Sequence, residues 1–241
     1  ALPICTLPNL LLAGILLVMG AYRLFSWLCS RGLTDTLTWV LGAAVLWWAT
    51  ATFLVLTFPQ SAAHWSSIAA RLVIGLLILL PAWQGLVQLK QWPQANALII
   101  AVMVLVWGAD IGAYFAGKTF GKRKLAPRVS PGKSWEGVWG GLAGVMVMAF
   151  VWVLADAHWQ ASVPSFYSRM AQQGWWLLVI AALFMVAMSV SGDLVESLIK
   201  RSAGVKDSSG LLPGHGGVLD RVDALLPTLP LAMMLTSLTT L

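Results

Sequence analysis

Charge is scarce in this sequence, where only 10% of the 241 residues are Asp, Glu, Lys or Arg. A soluble domain usually carries about 25% of these residues. The first hundred positions contain a single acid, Asp35. Hydrophobic residues make up 59% of the chain, and the mean hydropathy is +0.82. This composition excludes an ordinary soluble domain and indicates a protein whose main solvent is lipid.

Cysteine is also rare, and the two present are Cys5 and Cys29. They form no CxxC motif and no Cys/His cluster, so the sequence favours two unpaired thiols over a zinc site or a redox motif. The net charge is +6. Basic loops of a membrane protein explain that sign. No soluble basic domain is apparent, so we expect no nucleic-acid partner.

Long apolar stretches make up most of the sequence, and a membrane-spanning helix needs about 20 apolar residues. The stretches lie at residues 8–28, 37–58, 68–89, 96–117, 136–155, 175–193 and 224–241. No periodic alternation indicates a barrel and no internal repeat is visible. We therefore expect an all-α fold, a polytopic transmembrane bundle of about seven spans.

Two polar loops, residues 118–135 and 194–223, carry ten of the fifteen basic residues. Positively charged loops stay in the cytoplasm. With seven spans both loops lie on that side, the amino terminus is inside and the carboxyl terminus is outside. The loop at 156–174 then faces outward.

Acidic residues gather in the same regions, although ionisable groups are costly in a membrane. Asp220 and Asp223 are spaced i, i+3 and predict two carboxylates on one helical face. With Asp193 from another helix they would form the hard oxygen pocket that Mg²⁺ prefers. Simpler interpretations stay open: unrelated interfacial acids, a solvated salt bridge between Glu196 and Lys200, or an interfacial pairing of Asp110 with a loop lysine.

The glycines around His215 predict a flexible turn whose backbone N–H groups favour anionic oxygens. His215 itself could bind phosphate, act as acid or base, or orient the loop. The run Gly132-Lys133-Ser134 is not a Walker motif, since Pro127 occupies the position of the first glycine.

One long stretch carries a family resemblance. From residue 197 to 223 the chain reads S-L-I-K-R-S-A-G-V-K-D-S-S-G-L-L-P-G-H-G-G-V-L-D-R-V-D. This resembles the signature of bacterial phosphatidate cytidylyltransferases, also called CDP-diacylglycerol synthases. The segments W-G-A-D-I-G-A-Y, S-P-G-K-S-W-E-G and S-G-D-L-V-E-S are also similar to family segments. Many relatives have Lys where this chain has Gly132.

The resemblance implies transfer of the cytidylyl group of CTP to phosphatidic acid, giving CDP-diacylglycerol and pyrophosphate for phospholipid biosynthesis. It implies Mg²⁺ held by Asp193, Asp220 and Asp223, and allows for a second cation such as K⁺. The other catalytic residues it implies are Lys200, Arg201 and His215. The candidate substrate-binding residues are Asp110, Lys122, Lys124, Ser130, Lys133, Ser134, Glu136, Glu196, Ser197, Lys206, Asp207, Gly216, Gly217 and Arg221.

The resemblance also implies a multi-pass protein of the bacterial inner membrane, with its active site at the cytoplasmic face and a homodimeric state. Residues 1–95 would be amino-terminal helices that lack the family's first spans, and residues 96–241 the catalytic region. Two rival classes are a transporter and another enzyme of lipid phosphates, such as a polyprenol-phosphate sugar-phosphate transferase or a lipid kinase. Transporters usually place charge at the midplane and often show repeats, whereas here the charge lies at one boundary.

Overall fold

A computed structural model describes residues 35–58, 67–92, 95–160, 164–211, 213 and 216–238. The helices and strands follow in the order α1 (Asp35–Leu56), α2 (Ile68–Leu89), α3 (Ala95–Phe120), β1 (Lys124–Ala126), β2 (Ser130–Ser134), α4 (Trp135–His158), α5 (Phe166–Gln173), α6 (Trp175–Ser202), α7 (Leu219–Val222) and α8 (Leu225–Leu238). The predicted span at 8–28, Cys5, Cys29 and His215 lie outside the described residues.

Four of the described helices, α2, α3, α4 and α6, are long and apolar enough to cross a membrane. Each exposes large apolar side chains, among them Trp83, Trp107, Trp139 and Trp176. A soluble protein rarely shows such continuous apolar surface. The described chain is therefore a multi-pass membrane protein. Helices α1 and α8 occupy the predicted spans 37–58 and 224–241, but α1 contributes only the shorter apolar stretch Gly42–Val55 and α8 has 14 residues.

Helices α3 and α4 pack closely because their contact is made of glycine and alanine. A Cβ atom added to Gly112 would lie 2.7 Å from the carbonyl oxygen of Gly140 and 3.1 Å from the Cα of Gly141. Small residues of this kind let membrane helices approach until their backbones touch. The pair forms two walls of the cavity described below.

The predicted loop at 118–135 contains a β-hairpin that the sequence analysis did not predict. Strand β1 pairs antiparallel with β2, with Lys124 opposite Ser134 and Ala126 opposite Ser130. The tip of the hairpin is anchored by Val129, which is 2% exposed and belongs to the same apolar cluster as residues of α6. Ser134 then begins α4 by accepting a hydrogen bond from the N–H of Gly137 at 3.2 Å, a helix N-cap.

The predicted outward loop at 156–174 contains α5, a second element that the sequence did not predict. Asp156 Oδ2 accepts hydrogen bonds from Ser165 N at 2.9 Å and Ser168 Oγ at 2.6 Å, which fixes the start of α5. The helix buries Phe166, Tyr167 and Met170 in the core of the bundle. Burial raises the pKa of Tyr167. Its hydroxyl donates to the carbonyl oxygen of Ala101 in α3 at 2.8 Å.

We expect Tyr167→Phe to lower the free energy of unfolding by about 1 kcal/mol, since it removes one buried hydrogen bond and keeps the ring. Thermal denaturation in detergent would measure the change. Tyr114→Phe is the matched control, because Tyr114 is 60% exposed. Equal destabilisation by both variants would show that the contact with Ala101 contributes nothing.

Candidate active site

The polar end of α6 carries the residues on which the site is built. The span predicted to end at residue 193 continues as helix to Ser202, so the first part of the predicted loop at 194–223 is helical. Lys200 and Arg201 lie in the last turn, where positive charge is favourable at a helix carboxyl terminus. The spacing i, i+3, i+7 would by itself place Asp193, Glu196 and Lys200 on one helical face. The structure instead directs Asp193 to one cavity and Glu196 to another.

A cavity of about 490 Å³ lies between α3, α4, β2 and the end of α6. Its wall is apolar or small over most of its area. The polar side chains that line it are Asp110, Tyr114, Lys118, Lys133, Ser134 and Asp193. The cavity thus combines a hydrophobic interior with a few charged groups, as expected for a site that binds an amphipathic substrate.

Carboxylates in and beside this cavity surround the ammonium group of Lys133. Lys133 Nζ lies 2.6 Å from Asp193 Oδ2, and Ser197 Oγ donates to Asp193 Oδ1 at 3.3 Å. Asp110 interacts electrostatically with Lys133 and Asp193. Burial raises the pKa of Asp223 to about 6, and the charge of Asp193 adds to that rise. Asp110, Asp193 and Asp223 together outnumber the positive charge beside them, which favours binding of a cation.

Gly192 makes the approach of Asp223 to Asp193 possible. A Cβ atom at this position would lie 2.6 Å from the carbonyl oxygen of Asp223 and 2.8 Å from Cγ of Pro227. Real Cβ atoms essentially never come so close to backbone. The absence of a side chain therefore lets the start of α8 contact α6 directly, next to the cavity.

Asp220 is directed away from this group of carboxylates. The single turn α7 ends at Val222 and α8 begins at Leu225, with the backbone of Asp223 between them in the right-handed helical region. Asp220 Oδ1 lies 2.6 Å from Lys200 Nζ. Burial alone would raise the pKa of Asp220, but hydrogen bonds from Lys200, Gly217, Glu196 and Ser208 outweigh it and hold the pKa well below its usual range.

Several other predicted site residues make contacts within the protein. Glu136 accepts from the N–H groups of Lys122 and Arg123 at 3.1 and 3.2 Å. Arg201 donates to the carbonyl oxygens of Val129 and Val205, both at 3.4 Å. Ser130 and Gly216 are half-buried, and Gly217 is buried. The remaining predicted residues are exposed on the same polar end, namely Lys122, Lys124, Lys206, Asp207 and Arg221.

Tyr114 and Lys118 line the cavity, although the sequence analysis did not select them. Lys118 Nζ lies 5.6 Å from the centroid of the Tyr114 ring, within the range of a cation–π contact. The spacing i, i+4, i+8 from Asp110 through Tyr114 to Lys118 could have identified both, because residues four apart lie on one helical face.

No group of three His, Cys, Asp or Glu side chains in the described part of the chain is arranged to hold a metal ion. Mg²⁺, however, is commonly bound by one or two carboxylates together with substrate phosphates and water. Asp193 and Asp223 can supply these two carboxylates. Asp220, the third residue of the predicted trio, pairs with Lys200 and accepts from the backbone donors described above, and its role as a metal ligand stays a prediction.

Comparison with known proteins gives a consistent result. The profile described as the cytidylyltransferase family matches residues 6–239. A phosphatidate cytidylyltransferase of Pseudomonas aeruginosa is 58% identical over 191 residues, which cover 79% of this chain and 66% of that protein. One of Haemophilus influenzae is 44% identical over 194 residues, covering 78% and 64%. One of Bacillus subtilis is 41% identical over 140 residues, covering 58% and 47%.

These matches span less than two thirds of the length of each of these relatives. The family profile, by contrast, covers nearly the whole of this chain, from residue 6 to residue 239. The chain belongs to the cytidylyltransferase family.

Proposed function

We propose that the protein transfers the cytidylyl group of CTP to phosphatidic acid, giving CDP-diacylglycerol and pyrophosphate. The observation that carries this proposal is the cavity at the polar end of the membrane helices, where Lys118 and Lys133 stand beside Asp110 and Asp193 in an otherwise apolar wall. Such a cavity can hold the phosphate group of a lipid together with a nucleoside triphosphate at the boundary of the membrane. The names of the bacterial relatives support the same reaction.

The chemistry needs little proton transfer from the protein. A phosphate oxygen of the lipid, already ionised near neutral pH, attacks the α-phosphorus of CTP. The new O–P bond forms as the bond from the α-phosphorus to the β-phosphate oxygen breaks, and pyrophosphate leaves with its electron pair. The main barrier is repulsion between two anions, which fixed positive groups relieve. Lys133 and Lys118 are the side chains of the cavity wall that carry positive charge.

A divalent cation, Mg²⁺ in our proposal, would be held by Asp193 and Asp223, with Asp110 nearby. When bound, it would supply positive charge for the triphosphate and the departing pyrophosphate. Lys133, paired with Asp193 at 2.6 Å, orients that carboxylate and presents its remaining N–H groups to the cavity. The second cation, such as K⁺, stays a prediction.

We further propose that this polar end faces the cytoplasm of a bacterial inner membrane. The hairpin and the end of α6 lie on the same side of the bundle, since Val129 and Leu198 belong to one apolar cluster and Lys133 pairs with Asp193. Both segments are rich in Lys and Arg, which favours the cytoplasmic side. The seven-span topology, the division at residue 95, the homodimer and the absence of a nucleic-acid partner remain predictions.

The proposal is tested with purified protein, vesicles that contain phosphatidic acid, Mg²⁺, and CTP labelled either in cytidine or in the γ-phosphate. Cytidine label in the lipid, with pyrophosphate release that requires phosphatidic acid, is the expected result. Transfer of the γ-phosphate label to lipid would identify a lipid kinase. Absence of any CTP-dependent product would contradict the proposal and leave the transporter class.

A further inference from the structure

Glu196 is a buried carboxylate that the proposed reaction does not use. It is 6% exposed and lines a cavity on the other side of α6 from Asp193. Lys200 Nζ lies 2.5 Å from Glu196 Oε2 and 2.6 Å from Asp220 Oδ1. The side chains of Glu196, Lys200 and Asp220 are 7%, 16% and 11% exposed. This is a buried network and not the solvated surface pair that the sequence left open.

Asp220 connects this network to the segment that follows α6. Its Oδ2 accepts hydrogen bonds from Ser208 N at 3.0 Å, Ser208 Oγ at 2.9 Å and Gly217 N at 2.7 Å. One carboxylate therefore ties two points of the connection between α6 and α7, Ser208 and Gly217, to Lys200. We call Glu196, Lys200, Asp220, Ser208 and Gly217 the clasp.

The clasp is adjacent in sequence to the proposed site. Asp220 lies in α7, and Asp223 follows that turn immediately. The position of Asp223 beside Asp193 thus depends on how α7 is held. Glu196 contacts the same ammonium group and also shares a hydrogen bond with the carboxyl group of Asp220. Loss of Glu196 would therefore loosen the hold of Lys200 on Asp220, because removal of one partner from a buried ion pair leaves the other charge uncompensated.

We propose that Glu196 is a positioning residue, which acts through Lys200 and Asp220 to hold residues 203–211 and Asp223 in place. Lys200 then serves the clasp and is not a contact for the triphosphate, in contrast to the role implied by the family resemblance. The consequence for catalysis rests on the proposed function, whereas the consequence for the connection between α6 and α7 does not.

The test compares Glu196→Gln, Lys200→Met and the double variant. Hydrogen exchange of the segment 203–211 and the kcat and KM for CTP are measured for each protein. Both single variants should raise exchange of 203–211 by about 10-fold and lower kcat more than they raise KM. The double variant should resemble the more affected single variant, because members of one ion-pair network couple by factors of about 2 to about 150.

Three control measurements of hydrogen exchange accompany these variants. Exchange within α3 should stay unchanged, which shows that the bundle is folded. Asp156→Asn is the matched control, because it neutralises a carboxylate far from the clasp and should leave exchange of 203–211 as in the parent. Ser208→Ala removes one exposed donor of the clasp without touching the buried charges, and should raise exchange of the same segment to a smaller extent.

The proposal is overturned if Lys200→Met raises KM for CTP while exchange of 203–211 stays at the parent value, or if the two single effects simply multiply in the double variant. Failure of the CTP reaction itself would reject the proposed function and still leave the exchange measurement as a test of the clasp.

Discussion

Asp223→Asn is expected to reduce CDP-diacylglycerol formation by at least about 100-fold, the size of effect seen when one preorganised charge-stabilising group is removed from an active site. The carboxylate of Asp223 faces Asp193, and together they form the proposed cation site. Asparagine keeps the oxygen that accepts the hydrogen bond from Ala224 N at 2.7 Å. Radiochemical assay over a range of Mg²⁺ concentrations would measure the loss.

The same variant should be at least as stable as the parent at neutral pH in the absence of metal. Burial and the charge of Asp193 raise the pKa of Asp223 to about 6, so the ionised carboxylate is disfavoured in the folded protein and a neutral amide relieves the repulsion. Asp156→Asn, which makes the same change at the opposite end of α4, should retain activity. Full activity of Asp223→Asn with an unchanged Mg²⁺ requirement would rule out the cation assignment.

Gly192→Ala is the second substitution for which we expect a large loss of activity, because the added Cβ atom would clash with neighbouring atoms. The added Cβ would lie 2.6 Å from the carbonyl oxygen of Asp223 and 2.8 Å from Cγ of Pro227. The start of α8 must move away from α6, and overpacking of this kind costs about 1–3 kcal/mol. A displacement of about 1 Å at a reacting group can lower the rate about 100-fold. Thermal denaturation and kcat/KM would report the two effects.

Gly75→Ala is the control for this substitution. Gly75 also lies within a helix, α2, but a Cβ there meets nothing within 4 Å. Alanine is favoured over glycine in a helix by about 1 kcal/mol, so Gly75→Ala should be neutral or stabilising. Similar loss of activity in both variants would show that helix flexibility, and not the contact between α6 and Asp223, is responsible.

The helices of the bundle could be predicted from hydropathy alone. The described bounds Ile68–Leu89 coincide with the predicted stretch 68–89, and Ala95–Phe120 and Trp135–His158 differ from prediction by a few residues. The apolar length that a membrane requires dominates every other local preference in these segments. Hydropathy did not predict α5 or the hairpin, because both are short and are fixed by a few side chains buried against distant helices, Phe166, Tyr167 and Met170 in α5 and Val129 in the hairpin.

The candidate site could be predicted only in part. Charge in an otherwise apolar chain pointed to Asp110 in α3, Asp193 in α6 and Lys133 in β2, and the structure places all three in the lining of one cavity. The i, i+3 spacing did not predict that Asp220 and Asp223 have different partners, Lys200 for Asp220 and Asp193 for Asp223. The spacing of Glu196 and Lys200 does match their ion pair, but the second contact of Lys200, with Asp220, joins residues distant in sequence.

Helix α5 has a consequence for the membrane as a barrier. Phe166, Tyr167 and Met170 are 2%, 0% and 0% exposed, and Leu105, Val145 and Met185 are fully buried beyond the cavity of the candidate site. In this described portion, packed side chains fill the bundle between the cavity and α5. In the described residues, the cavity and α5 are therefore separated by close-packed apolar side chains, a layer in which a charged group is costly to place.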